Sequence, residues 1–275
     1  MKKIAVLLSI GFLAVILIAC GSSDEGEQAS SDEGADSDSS DQTLLEQIQE
    51  SGELVIGTEG TYRPYTFHDE NDKLTGFDVE IAREVAERLG VKPVFNETKW
   101  DSMFAGLNAK RFDMVANQVG INEDRQKKYA FSDPYIQSSA VIVTHEDNDS
   151  IQDFSDLEGV TTAQSMTSNY ADIARENGAE INSVEGFNES MQLLSTKRVE
   201  ATVNDRLSVL DYLNQRDDVP VKIAVRQDEA SKSGLLFRQG NDELVKAVNE
   251  ALQEMKDDGT YSEISEKWFG EDVSK

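Results

Sequence analysis

The chain has 275 residues and carries 53 acidic against 26 basic side chains, a formal net charge of −27. That length suits two compact units or one large one, and the acidic excess excludes phosphate neutralisation as a source of affinity, and with it nucleic acid and anionic lipid as ligands. A lone cysteine, Cys20, leaves no disulfide framework within the chain, so stability must come from a packed core.

In chain order, the basic start Met1-Lys2-Lys3 is followed by an almost wholly apolar run from Ile4 to Ile18, which closes on Leu17-Ile18-Ala19-Cys20. The run is shorter than the ~20 residues of a spanning helix and has the form of a secretory signal peptide over residues 1–19. Leu17-Ile18-Ala19-Cys20 resembles the lipobox of bacterial lipoproteins, which implies cleavage before Cys20, acylation of Cys20 and anchoring at the extracellular face of the cell membrane; several acyl chains hold where one does not. Residues 20–41 contain no basic residue and, beyond Cys20, no apolar side chain larger than alanine, so this acidic stretch reads as a disordered tether. Fully extended, it reaches roughly 70 Å at ~3.3–3.6 Å per residue.

From Leu44 onward the pattern alternates between strand and helix. Leu54 to Gly57 reads as a short buried strand; Ile81, Ala82, Val85, Ala86 and Leu89 repeat at helical spacing and stop at Gly90. A second strand ends at Phe95. Asp101 is placed to cap a helix carrying Met103, Phe104 and Leu107, and Phe112 to Val115 forms a third strand. After Phe131-Ser132-Asp133-Pro134 the alternation restarts, with strands at Ala140 to Val143, near Val160, near Ala201 and from Val221 to Val225. Helices between them run over Tyr170 to Glu176, Met191 to Lys197 and Leu207 to Leu213. Leu235 to Phe237 is a last strand, and Leu244, Val248, Leu252 and Met255 mark a long amphipathic helix ending at Gly259. These segments predict an α/β protein of two lobes, residues 42–141 with 233–275 and residues 142–232, joined by strands that cross near Ile142 and Ser233.

Ligands of such sheets sit beyond the carboxyl ends of the strands. Those ends carry Glu59 and Tyr62, Trp100, Gln118 to Arg125, Ser165 to Asn169, and Asn204 with Asp205. An arginine, acids, aromatics and hydroxyl or backbone donors together match a zwitterion. Arg125 offers a planar fork to a carboxylate, helped by the Gly120 amide; Asp205 suits an ammonium; Tyr62 and Trp100 suit the walls. Each also has a plainer reading: Arg125 as a solvated helix partner, Asp205 as a helix cap, Trp100 as a residue stapled to its own helix.

The stretches GTEGTYRPYTFHDENDKLTGFDVEIAREVAERLG, WDSMFAGLNAKRFDMVANQVGINEDR, FSDPY and VEATVNDRLSVLDYL resemble, in order, the polar amino acid-binding proteins of ABC importers, solute-binding protein family 3. AQSMTSNY and the closing EKWFGEDVSK are most similar to the cystine-binding lipoproteins of Gram-positive bacteria. The resemblance implies a two-lobe periplasmic-binding-protein fold of type II with a ligand cleft between the lobes, capture of a free amino acid, L-cystine in the nearest subgroup, and delivery to a membrane permease; the acidic surface favours a monomer. Residue by residue it makes Arg125 the carboxylate clamp and Asp205 the ammonium acceptor. It places Glu59 at the ligand's amino or side-chain end, Tyr62 and Trp100 as opposite walls, and Thr167 and Ser168 at a helix start that meets the carboxylate. Met166 stands where relatives usually have glycine, and is expected to narrow the pocket or close on an apolar part such as a disulfide; Gln118 and Gly120 stand where many have serine. Glutamine, arginine or histidine remain alternative ligands.

No cofactor, metal or catalytic residue is expected. An enzyme on the same lobes finds little here: His68 and His145 are the two histidines, each beside an acid in an exposed setting, and neither GxSxG nor HExxH occurs. A signalling receptor would use the same cleft and anchor, and sequence does not separate it from an import protein.

Overall fold

The computed structural model describes residues 42–216 and 218–275. The signal peptide, the lipidation of Cys20 and the tether expected from the sequence lie outside the described residues.

Fifteen strands are present among them: β1 Glu53–Thr58, β2 Thr61–Tyr62, β3 Thr66–His68, β4 Leu74–Thr75, β5 Lys92–Glu97, β6 Met114–Val115, β7 Tyr129–Phe131, β8 Ile136–Ser138, β9 Ala140–His145, β10 Thr161–Gln164, β11 Glu180–Ser183, β12 Ala201–Asp205, β13 Val221–Arg226, β14 Ser231–Ser233 and β15 Leu236–Arg238. Two five-stranded sheets dominate, ordered β5-β1-β6-β15-β7 and β11-β10-β12-β9-β13. In each, three neighbouring strands run parallel and the fourth, β15 in the first sheet and β9 in the second, is antiparallel to them. The first and second lobes of the α/β fold are built on these sheets. The chain passes between them twice, and at the passage β8 and β14 pair as a short antiparallel ribbon, Ser233 opposite Ile136 and Ser231 opposite Ser138.

Ile142, expected near a crossing, sits instead inside β9, between Val203 of β12 and Val225 of β13. Its neighbours explain the misplacement: Ala140 to Val143 is buried on both faces, as a central strand must be, and an apolar run does not disclose which sheet it joins.

The helices are α1 Leu44–Ser51, α2 Phe77–Arg88, α3 Trp100–Asn108, α4 Glu123–Gln126, α5 Asn169–Glu176, α6 Phe187–Ser195, α7 Arg206–Asn214, α8 Asp242–Asp258 and α9 Thr260–Phe269. The periodic segments α2, α3, α5, α6, α7 and α8 fall where the hydrophobic spacing places them. The pattern did not show α1, closed by a Thr43–Glu46 capping box, nor α9, which Gly259 separates from α8 in the left-handed conformation (φ 89°). Nor did it show the small β2-β3-β4 sheet, because two- and three-residue strands carry no readable period.

Packing of α2 matters most for the site. Its apolar face (Phe77, Ile81, Ala82, Val85, Ala86) is fully buried, and the Phe77 ring stacks on Tyr135 at 6.1 Å between centroids and meets Phe269 of α9 at 5.0 Å. The helix begins at Gly76, whose φ of 127° and contact with the Tyr65 carbonyl leave no room for a side chain: a Cβ there would lie 2.2 Å from that oxygen. Substituting Gly76→Ala is therefore expected to destabilise the fold by about 2–4 kcal/mol, read as a lower midpoint in urea denaturation followed by tryptophan fluorescence.

Candidate functional site

Between the two lobes lies a small cavity of about 40 Å³. From the first lobe it is walled by Glu59, Tyr62, Trp100, Asn117 and Gln118. From the second come Ser165, Ser168 to Tyr170, Gly186, Phe187 and Asn204. Tyr62 and Asn204 lie at the ends of β2 and β12, and the others follow the carboxyl ends of strands or sit at the starts of the helices after them.

Glu59 follows β1, and Asn117 holds it in two directions: the Asn117 Nδ2 donates to Glu59 Oε2 at 2.7 Å, and the Glu59 backbone N–H donates to Asn117 Oδ1 at 2.7 Å. Burial pushes the Glu59 carboxyl up to about 7, against the opposing effect of Asn117 and the Trp100 backbone N–H at the start of α3. Tyr62 Oη donates to Asn204 Oδ1 at 2.9 Å, a contact from one lobe to the other, and its ring meets Phe187 edge-on at 5.9 Å. The Trp100 ring is 7% exposed and packs at right angles against Phe104.

Gln118 has left-handed backbone geometry (φ 48°), unusual outside glycine. The cause is visible below it. Its N–H donates to Oδ2 of Asp78, on the first turn of α2, while Oδ1 of the same carboxylate accepts from Tyr135 Oη at 2.9 Å. Asp78 is fully buried, and desolvation pushes its carboxyl up to about 7.

Arg125 sits in α4, 8% exposed. The guanidinium donates to the Gly120 carbonyl at 2.8 Å, the Thr167 carbonyl at 3.1 Å and Asn169 Oδ1 at 3.4 Å, all neutral acceptors. Among the described residues no carboxylate lies within ion-pair distance of it, and burial lowers it to about 10. The Trp100 and Phe104 rings lie 5.4 and 5.2 Å away. Asp205 is its counterpart on the second lobe. As N-cap of α7, Asp205 Oδ1 accepts from Leu207 N at 2.9 Å, Ser208 N at 3.1 Å and Tyr65 Oη at 2.8 Å, whereas Oδ2 has only Tyr170 Oη at 3.5 Å. No cation pairs with it among the described residues, and burial raises its carboxyl.

Of the residues singled out in the sequence, Glu59, Tyr62, Trp100, Gln118 and Ser168 line the cavity. Arg125 and Gly120 stand beside Asn169, and Asp205 beside Tyr170, while Thr167 meets Arg125 through its carbonyl. Met166 does not join them: it is 44% exposed, with its carbonyl and sulfur turned toward Arg175, because Thr167 beside it is held from the other direction by Asp101. Asp101 is likewise not the cap of α3. Lys99 occupies the N-cap position without a side-chain bond, and the Asp101 carboxylate reaches across the cleft to Thr167 N at 3.1 Å and Oγ1 at 2.7 Å. Sequence reasoning missed Asn117, Tyr65, Tyr170, Gly186 and Phe187. A signal existed only for Tyr65, in the aromatic run TYRPY; the others are brought in by helix direction and sheet register.

Further contacts close the cleft around the cavity: Lys99 pairs with Glu185, Arg63 Nε meets Asp211 Oδ2 at 3.3 Å, and Asn188 Nδ2 donates to the Thr61 carbonyl at 3.0 Å. The structure is thus a closed one. His68, by contrast, is a surface residue paired with Glu97 at 2.9 Å, which raises its pKa, and His145 pairs with Asp147.

Asp78 and Glu59 share one pH consequence. Both bind a proton more tightly folded, at about 7, than at the ordinary carboxylate value near 4. Between those limits the folded state holds more protons than the unfolded one, so stability falls as pH rises from about 4 to about 7 and is level outside that window. Urea unfolding at pH 5 and 7.5 is expected to show this decline, and Asp78→Asn should shrink it without abolishing it, because Glu59 and Asp205 titrate in the same direction.

The model of the bacterial extracellular solute-binding proteins, family 3, matches residues 54–271. The chain is 50% identical over its full length, and the full length of the other, to the L-cystine-binding protein TcyA of Bacillus subtilis. Among solved structures, it is similar to the L-cystine solute receptor of Neisseria gonorrhoeae in its unliganded open conformation: 48% identity, 85% of this chain and all of that one, TM-score 0.57. An ancestral arginine-binding protein bound to glutamine is less alike in sequence, at 38% identity, yet superposes better, with a TM-score of 0.77 over 80% of this chain and 99% of that one. The first is an unliganded open form and the second a ligand-bound one. With a two-lobe fold, a closed inter-lobe cavity and a family match over most of its length, the chain belongs to the bacterial extracellular solute-binding proteins, family 3.

Proposed function

We propose that this protein captures L-cystine outside the cell and delivers it to an ABC importer, acting as a monomer held to the extracellular face of the membrane through acyl chains on Cys20. One observation carries the amino acid reading: Arg125 and Asp205 are buried charges of opposite sign on opposite lobes, and neither has an ionic partner among the described residues. Buried charges are normally paired. A free α-amino acid supplies both missing partners at once, its carboxylate to the Arg125 fork and the start of α5 at Thr167 and Ser168, its ammonium to Asp205 Oδ2. Because the partners sit on different lobes, the ligand favours the closed state, which is the requirement for capture by closure about the β8–β14 ribbon.

Cystine is favoured over other amino acids by the cystine-binding relatives and by Glu59, an acid at the far end of the cavity that suits a second ammonium. Tyr62 and Trp100 then flank the disulfide, and Gln118 and Gly120 supply amide and backbone groups between the two ends. The LIAC sequence at residues 17–20 and the acidic tether support the anchor.

Isothermal titration and thermal melting against cystine, cysteine, glutamine, arginine and histidine test this. Cystine at ~100 times its dissociation constant should add about 2.7 kcal/mol to stability; a response to another amino acid alone would replace cystine with that ligand, and none at all would remove the amino acid reading. Arg125→Ala is expected to weaken binding by roughly 30-fold to several thousand-fold, the effect of ~2–5 kcal/mol lost from a buried charge pair.

A further inference from the structure

The sequence TYRPY places two tyrosines three residues apart, and both hydroxyls cross from the first lobe to consecutive residues at the end of β12. Tyr62 Oη donates to Asn204 Oδ1 at 2.9 Å, an oxygen that also accepts from the Asp205 N–H at 2.8 Å. Tyr65 Oη donates to Asp205 Oδ1 at 2.8 Å. Tyr62 is a wall of the cavity, but Tyr65 does not line it and, like Asp205, is wholly buried.

The Tyr65 ring is fixed by its own lobe. Its centroid lies 5.4 Å from that of Tyr62, 5.8 Å from Phe269 and 6.5 Å from Phe77. Its backbone is held as well, the N–H donating to the Tyr62 carbonyl and the carbonyl accepting from the Asp78 N–H, each at 3.0 Å. Phenylalanine would keep all of these contacts. What the hydroxyl adds is a bond to a carboxylate of the other lobe, and a buried hydroxyl without an acceptor is costly.

At Asp205 the added bond makes the two oxygens unequal. Oδ1 already takes the N–H groups of Leu207 and Ser208 at 2.9 and 3.1 Å, both from the start of α7 in its own lobe. With Tyr65 that oxygen accepts three hydrogen bonds, whereas Oδ2 has Tyr170 Oη at 3.5 Å. Donors arriving from both lobes fix the orientation of the carboxylate, and they favour its charged form against burial, which raises it.

We propose that Tyr65 is a positioning residue for recognition of the ligand's ammonium: on closure its hydroxyl occupies Asp205 Oδ1 from the opposite lobe and leaves Oδ2 for the ammonium. This rests on the amino acid reading above. Tyr65 touches no ligand atom and acts through Asp205. Closure thereby completes the ammonium acceptor, and because the bond forms after encounter it slows escape of the ligand rather than its arrival.

Tyr65→Phe removes the hydroxyl and keeps the ring. Titration and stopped-flow mixing with L-cystine should show affinity falling about 10- to 100-fold, carried by faster dissociation, with the association rate within about threefold of wild type. Urea unfolding without ligand separates this from a structural role: the midpoint of the variant should stay at the wild-type value, since the bond belongs to the closed state. In wild-type protein labelled with ¹³C at tyrosine Cζ, the Tyr65 resonance, identified by its loss from Tyr65→Phe, should move downfield as cystine binds and the hydroxyl donates to the carboxylate. An unchanged cystine affinity, a loss carried by the association rate, a lowered ligand-free midpoint, or a Tyr65 resonance that cystine does not move would each overturn the proposal while leaving the amino acid reading intact. If the wild-type protein binds a different amino acid, the same measurements with that ligand decide the proposal, because the ammonium is common to all. If it binds none, the reading falls and the role of Tyr65 with it.

Discussion

A buried guanidinium with no carboxylate paired to it among the described residues organises this molecule. Arg125 is held by two backbone carbonyls and an asparagine oxygen, acceptors that fix its direction without neutralising its charge. Two of them, from Thr167 and Asn169, belong to the other lobe, so this placement of the guanidinium belongs to the closed state. Charge left unpaired in a low-dielectric setting is costly, and the cost explains why the rest of the cleft is shaped around something that arrives from solution.

The supporting residues repeat this logic at one remove. Asp78, deep in the first lobe, spends its carboxylate on the Gln118 N–H and Tyr135 hydroxyl, fixing Gln118 in left-handed geometry at the floor of the cavity. Asp205 commits one oxygen to the start of α7 and to Tyr65, leaving the other under-used. Asp101 gives up its expected place as a helix cap to tie Thr167 across the cleft. Site rigidity is thus distributed over acids whose other partners are structural, and three of them, Glu59, Asp78 and Asp205, are raised by burial. Closure adds to that burial, since the walls of the cavity come from both lobes.

Much of the fold was legible before any coordinates. Helices such as α2 and α8 repeat their apolar residues over three or more turns, and the central strands are short apolar runs bounded by turn residues, so their periods survive any tertiary context. Most chosen site residues also fall at or just behind the cavity, because ligands of α/β sheets gather at strand ends. Met166 is the exception: composition places it in the loop with Thr167, but which way a loop side chain turns depends on what holds its neighbours. Asn117, Tyr170 and Phe187 went unread for a related reason, since nothing in their spacing distinguishes a cavity wall from a core or surface position.

By itself the sequence determined two α/β units, an apolar run ending in a lone cysteine, an acidic composition unsuited to nucleic acid, and the chemical types at the strand ends, because these depend on local period and composition. Tertiary structure alone decided which sheet each strand joins, that the crossing ribbon precedes Ile142, and that Arg125 and Asp205 stand behind one cavity on opposite lobes with no ionic partner among the described residues. Those outcomes are set by contacts between residues tens to more than a hundred positions apart, such as Tyr65 with Asp205 and Arg125 with Thr167, and no local pattern encodes such a contact.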